Sequence, residues 1–381
     1  MTTKHRPGEI RDAILEALIT ASAPMSIREI EEAVADRVPN ASSSSVRSYL
    51  RLNTPDLFTR PTRAHYLLRE QAAFTYSSDA IQQNEPLEIF EHGKASLIKA
   101  DCFEWLRMRQ PNSLQAVVTD PPYGLVEYSP LQQAKLRAGR GGVWRIPPSF
   151  DGARRQPLPR FTVLKSSDLE ALHVYFVAWA RLLLPTLVPG AAVIVASNPL
   201  VSYVVSGALA RAGLERRGEI VRLVMTMRGG DRPKAAHYEF SDVSVMPRAM
   251  WEPWLVFRKP LEGRVQDNLR RWKTGGFRRP SKEKPFGDVI HSAPTGQKER
   301  SLAPHPSLKP QAFLRQLVRA VLPLGEGLVF DPFAGAGSTL AAATAVDYES
   351  IGVEKDETYF EMAKRAIPEL SALELPNHTS R

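Results

Sequence analysis

"GLVFDPFAGAGSTLAAA", Gly327 to Ala343, is the stretch on which the fold turns. A short apolar run ends in an acid, Asp331, a turn follows with Gly335 and Gly337, and a small-residue helix begins at Ser338. Apolar run, glycine bend and helix read as strand, turn and helix. The glycines let something approach the main chain, and the helix start offers unpaired N–H groups. That something is a phosphate, a dinucleotide or the strand beneath the helix.

The charges narrow the choice. No Lys or Arg lies between Asp331 and Glu349, so the lysine of a phosphate-binding P-loop is missing from "GAGST". Asp331 would itself repel a pyrophosphate. Glu354 ends the next strand, "SIGVE", where an acid commonly takes a ribose diol in nucleoside-binding α/β folds. A ligand with a ribose and a positive centre but no phosphate describes S-adenosylmethionine.

Working outward, the texture repeats. "ASLIKAD", "LQAVVTD", "GAAVIVASN", "GEIVRLVMTM" and "WEPWLVFRKP" read as strands. "DLEALHVYFVAWARLLLPTL", "PLVSYVVSGALARAG", "KPQAFLRQLVRAVL" and "ETYFEMAKRAI" read as helices. Strand alternating with helix predicts an α/β, doubly wound Rossmann-like sheet, mostly parallel. In it Trp251, Trp254 and Phe257 are expected in the core.

A smaller α+β unit precedes it. Ile10, Ile14 and Leu18 share one helical face, as do Ile27, Ile30, Val34 and Val38 on the next segment, where Ser26 and Glu29 form a capping-box pattern. A third short helix turns Val46 and Leu50 inward, and "LFTRPTRAHYLL" follows as a basic hairpin. Three helices and a hairpin are similar to a winged helix-turn-helix, which binds duplex DNA or another protein. The expected division is a winged-helix-like domain at 1–75, a linker at 76–92 and a catalytic domain at 93–381.

The 381 residues carry a formal charge of +9, which favours polyanionic partners. The longest apolar stretch is broken by Arg181, Pro185, Pro189 and Gly190, short of the roughly 18 apolar residues of a membrane span. Charges near the N-terminus argue against a signal peptide. The single cysteine, Cys102, excludes an intrachain disulfide and a Cys-based zinc cage. These features predict a cytoplasmic, nucleoid-associated protein with no membrane partner and no metal. Basic tracts with interleaved aromatics, 228–303 and 134–160, suit a nucleic-acid groove and are the expected target-recognition regions.

"TDPPYG" (119–124), "HPSLKP" (305–310) and "DPFAGAGST" (331–339), in that order, resemble the DNA amino-methyltransferases in their permuted, β-class arrangement. The resemblance covers roughly 93–368. It implies S-adenosylmethionine as cofactor and double-stranded DNA as substrate. Phe333, Ala334, Gly335, Gly337, Ser338 and Thr339 would form the cofactor bend beside Asp331 and Glu354. Asp101 would meet the cofactor's adenine, although it also reads as an N-cap for "CFEWLRM". Lys309 would touch the methionine carboxylate, with His305 and Ser307 structural. Because "SIGVE" lies near the C-terminal end, its neighbouring strand must come from "ASLIKAD" on the N-terminal side.

The cluster Asp120-Pro121-Pro122-Tyr123 has its own chemical logic. An exocyclic base amine is a poor nucleophile because its lone pair is delocalised into the ring. Asp120 and the Pro121 carbonyl can each accept one amine hydrogen and localise that pair. The prolines stiffen the turn, and Tyr123 offers a face for a flipped base, worth roughly 1–3 kcal/mol. Cys102 sits beside Asp101 rather than in a nucleophile loop, so methylation at cytosine carbon-5 is rejected. By the resemblance, an acid at the first clamp position favours adenine N6, with cytosine N4 as the alternative. RNA, a protein glutamine, or a DNA-binding regulator with a dead methyltransferase fold remain competing readings. A homodimer and a restriction endonuclease partner are compatible with this class.

Overall fold

The structure, a computed structural model, describes residues 9–21, 24–54, 58–60, 62–68, 87–122, 149–150, 153–154, 166–224, 232–233, 236–305 and 307–375. The chain divides into two compact units, Met1–Pro86 with Leu164–Trp179, and Leu87–Val163 with Ala180–Arg381.

In the first unit, α1 (Glu9–Thr20), β1 (Met25–Ser26), α2 (Ile27–Arg37) and α3 (Ser43–Leu52) precede β2 (Phe58–Thr59) and β3 (His65–Leu68). The strands form an antiparallel sheet in the order β1-β3-β2. Ile14, Leu18, Ile30, Val34, Val46 and Leu50 meet in one core, as their helical spacing requires. The capping box forms: the Glu29 amide donates to Ser26 Oγ, and the Ser26 amide donates to Glu29 Oε2.

The second unit is built on β4 (Ile89–His92), β5 (Ala95–Lys99), β6 (Leu114–Thr119), β9 (Leu187–Ala196), β10 (Glu215–Leu223), β11 (Trp251–Arg258), β12 (Val289–His291), β13 (Leu328–Asp331) and β14 (Glu349–Glu354). β7 (Ser149–Phe150) and β8 (Ala153–Arg154) pair separately. Among the described residues the large sheet runs β12-β10-β11-β9-β6-β13-β14-β5-β4. Its centre, β9 through β5, is parallel, while β11 runs against both neighbours. The permutation closes as expected: β14, late in the chain, pairs in parallel with β5, with Glu354 opposite Lys99.

The helices that follow in the chain are α4 (Cys102–Met108), α5 (Ser166–Thr186), α6 (Ser202–Arg211), α7 (Val265–Trp272), α8 (Gln297–Leu302), α9 (Gln311–Val321), α10 (Ser338–Ala345) and α11 (Glu357–Ser371). Trp254 and Phe257 are fully buried, and Trp254 packs against Phe313 of α9.

Two details differ from the sequence expectation. Ile89–His92, placed within the linker, is an edge strand on β5. Only four residues long and half polar, it has no pattern that separates it from a linker. The first part of α5 groups with the N-terminal unit and adds Val174 to its core. That helix is apolar on several faces, so periodicity does not reveal which core it serves.

Candidate active site

Parallel strands place their C-terminal ends along one edge, and here four adjacent strands finish in acids. Asp101 follows β5, Glu354 ends β14, Asp331 ends β13 and Asp120 follows β6. Side by side on the sheet, they are scattered from 101 to 354 in the chain.

Three of these acids accept hydrogen bonds from neutral donors. Asp331 Oδ1 accepts from Thr119 Oγ1 at 2.7 Å and from the Phe333 amide at 3.2 Å. Burial drives the Asp331 carboxyl up to about 6 despite those bonds. Glu354 accepts from the amides of Gly335 and Asp356, each at 2.8 Å, and burial again raises its pKa. Asp101 accepts from the Phe103 amide at 2.8 Å and caps α4, with Lys355 3.9 Å from its other oxygen. The capping expectation for Asp101 therefore holds.

The glycine bend has two distinct reasons. Gly337 is left-handed, φ 76°, and a Cβ there would lie 2.4 Å from Ile367, so it serves helix packing. Gly335, φ 52°, faces the ring of His305, 3.2 Å from where its Cβ would be. His305 is half-enclosed against Tyr359, and burial, reinforced by the Lys309 charge, holds it below its ordinary pKa although Asp120 opposes this.

The fourth acid is treated differently. Asp120 Oδ2 accepts from Lys309 Nζ at 2.5 Å, and the same ammonium lies 3.1 Å from Glu252 Oε1. Burial alone would lower the Lys309 pKa, but Asp120 and Glu252 outweigh it and hold the ammonium above its ordinary value. Lys309, expected at a cofactor carboxylate, is thus engaged by two protein carboxylates, because a buried ammonium takes the nearest anions. Glu252 is paired in turn with Arg222 at 2.6 Å.

One cleft is lined by Asp120, Lys309 and His305 together with Asp331, Phe333, Ala334, Gly335, Ser338 and Thr339. Trp254 lines it as well, so a residue read as core also reaches the site. Pro121 is buried and Pro122 exposed. Tyr123 lies outside the described residues, as do most of 134–160 and, within 228–303, residues 228–231, 234–235. Glu252 and Arg222 were missed by the sequence reading. Their signal was a charge inside an apolar strand, in "EIVRLV" and "WEPWLV", which implies a buried partner.

Fold and site together define an α/β protein in which a glycine bend and an acid-proline turn share one cleft. Residues 114–365 match the N6/N4 DNA methylase family, and the chain belongs to that family. It is 22% identical over 280 residues to the type II methyltransferase M2.DpnII of Streptococcus pneumoniae, covering 73% of this chain and 91% of the relative. To M2.LlaDCHI of Lactococcus lactis subsp. cremoris it is 23% identical over 278 residues, with the same coverage, 73% and 91%. Among solved structures, the M1.HpyAVI–SAM complex aligns at 18% identity and TM-score 0.44 over 72% of this chain and 98% of that one. The cytosine-N4-specific PvuII DNA methyltransferase aligns at 14% identity and TM-score 0.45 over 75% and 88%.

The protein is a DNA amino-methyltransferase that uses S-adenosylmethionine. The residues present fit that donor. Asp331 is buried and Glu354 half-buried, and both accept from main-chain amides, Asp331 also from the Thr119 hydroxyl, which suits a ligand with a positive centre and hydroxyl groups. Among the described residues, no helix is long and apolar enough to cross a membrane.

Proposed function

We propose that the chain methylates the exocyclic N6 amine of an adenine flipped out of duplex DNA. The observation that carries this reading is the shared cleft, in which Asp120 and residues 333–336, 338 and 339 of the bend line the same space. S-adenosylmethionine, when bound, supplies a methyl group activated by a sulfonium. Asp331, Glu354 and the bend would hold it, with Asp101 at the end of the neighbouring strand.

The chain's own groups prepare the acceptor. Asp120 accepts one amine hydrogen and the Pro121 carbonyl the other, turning the nitrogen lone pair out of conjugation. Tyr123 stacks on the base. No covalent enzyme adduct is required, since the amine becomes acidic once alkylated and its proton passes to Asp120 or water. Lys309 belongs to the clamp in this reading, because Asp120 and Glu252 already engage it. Aspartate at the first clamp position supports adenine over cytosine.

The described order of the first unit supports a winged helix whose α3 and basic hairpin bind duplex DNA non-specifically. Similarity to type II methyltransferases supports a restriction endonuclease partner.

The test is transfer of labelled methyl groups to duplex DNA, followed by digestion to nucleosides. N6-methyladenine is expected. Label in N4-methylcytosine would overturn the adenine assignment and keep the clamp, whereas label in RNA or protein alone would overturn the DNA substrate. Removing residues 1–75 should lower duplex affinity and flatten its salt dependence if the first unit binds phosphates.

A further inference from the structure

Arg222 and Glu252 face each other in direct register across β10 and β11. Their side chains are 6% and 13% exposed, Arg222 between Val221 and Leu223 and Glu252 in the largely buried β11. Arg222 is fixed on every side: Nε donates to Ser292 Oγ at 3.0 Å, Nη2 to the Ala293 carbonyl at 3.1 Å, and its guanidinium lies over Phe313. Nη1 donates to Glu252 Oε2 at 2.6 Å, which leaves Oε1 facing Lys309.

We propose that Glu252, locked by Arg222, is a positioning residue for methyl transfer: it fixes Lys309 and, through Lys309, the orientation of Asp120. The proposal rests on the clamp role given to Asp120 above. An ammonium on a four-carbon stem is a poor positioning group by itself, because it rotates freely and has three equivalent donors. Two carboxylates at 2.5 and 3.1 Å define its place. The cluster also balances, with two acids against two cations, so a neutral base can enter without meeting a net charge. Of the groups facing Lys309, Asp120 comes from the end of β6, Glu252 from β11, Arg222 from β10 and His305 from the preceding loop, with Asp331 behind Asp120.

The experiment compares Glu252→Gln with the wild type in the full chain. The amide keeps the size of the side chain but removes the charge that holds the ammonium. Expected is a fall in kcat of about 10- to 100-fold, the scale of a misplaced reacting group, with an unchanged KM for S-adenosylmethionine. The basic limb of the pH profile should move to lower pH, because Lys309 then faces one carboxylate instead of two. A purely structural role would not move that limb. In protein carrying 13Cε-labelled lysine, the Lys309 resonance, assigned through Lys309→Arg, should titrate at lower pH in the variant.

Wild-type kcat together with an unshifted Lys309 titration would overturn the proposal. Should Glu252→Gln fail to fold, Glu252→Asp keeps the charge with a shorter reach: kcat should fall while the basic limb stays in place. Wild-type kcat in Glu252→Asp would then overturn it. A wild-type enzyme that methylates no DNA would sink the functional reading instead, and the lysine titration would still report on the chain of contacts.

Discussion

The two groups of residues on either side of the cleft hold their acids in opposite ways. On the side of the glycine bend, Asp331 and Glu354 are satisfied by a hydroxyl and main-chain amides, which orient a carboxylate without neutralising it. On the clamp side, Asp120 and Glu252 are matched by Lys309 and Arg222, which do neutralise it. One half keeps negative charge in a buried place, and the other is electrically balanced. The difference suits the two ligands proposed for it: a sulfonium donor brings its own positive charge, whereas a base brings none.

The largest effect tests the balanced half. Lys309→Met leaves Asp120 and Glu252 facing each other without their shared ammonium, and about 3–5 kcal/mol of stability should be lost in urea unfolding. A loss below about 1 kcal/mol would mean the pair is hydrated rather than locked, and the contrast would fail.

Asp120→Ala comes next. It should cost about 10²- to 10³-fold in kcat, while calorimetry finds S-adenosylmethionine bound as tightly as by the wild type. Loss of donor binding in this variant would show that the halves are not separate.

Asp331→Asn probes the charged half, and its two effects have opposite signs. Donor affinity should weaken by about 1.5–3 kcal/mol, the worth of a hydrogen bond or contact to a charged group. Stability at pH 7 should rise. The folded carboxyl sits near 6 against an ordinary 3.8, so the unfolded chain gives up its proton first. The cost of ionising the buried acid therefore builds between those values and is complete above 6. About 2 pH units correspond to roughly 3 kcal/mol at most, measured as a higher melting temperature for the variant.

The smallest effect needs no mutation. Donor affinity should fall as pH drops through about 6, where Asp331 takes up its proton, by no more than about tenfold per unit. S-adenosylhomocysteine, whose sulfur is neutral, should show a shallower dependence over the same range. Equal slopes would mean that Asp331 reads shape rather than charge.

Much of the charged half was legible in the chain because its signals are local. Asp331, Gly335, Gly337 and Ser338 fall within one strand-turn-helix, and Glu354 ends the next strand. Even there the two glycines could not be told apart. Only the packed structure shows Gly337 against Ile367 and Gly335 against His305. The balanced half was legible in its Asp120-Pro121 turn and in Lys309, although Lys309 was expected at the cofactor rather than beside Asp120. Arg222 and Glu252 come from separate strands, and nothing local in either segment names the partner.

What the sequence determined by itself was the kind of unit at each place: short apolar strands closed by acids, a glycine bend, and a stiff acid-proline turn. Those follow from side-chain periodicity and backbone sterics, which act over a few residues. Tertiary structure alone decided which acids became neighbours and which acquired a cation. Strand order in a parallel sheet is independent of chain order, and charges removed from water bind whatever opposite charge the fold brings within reach.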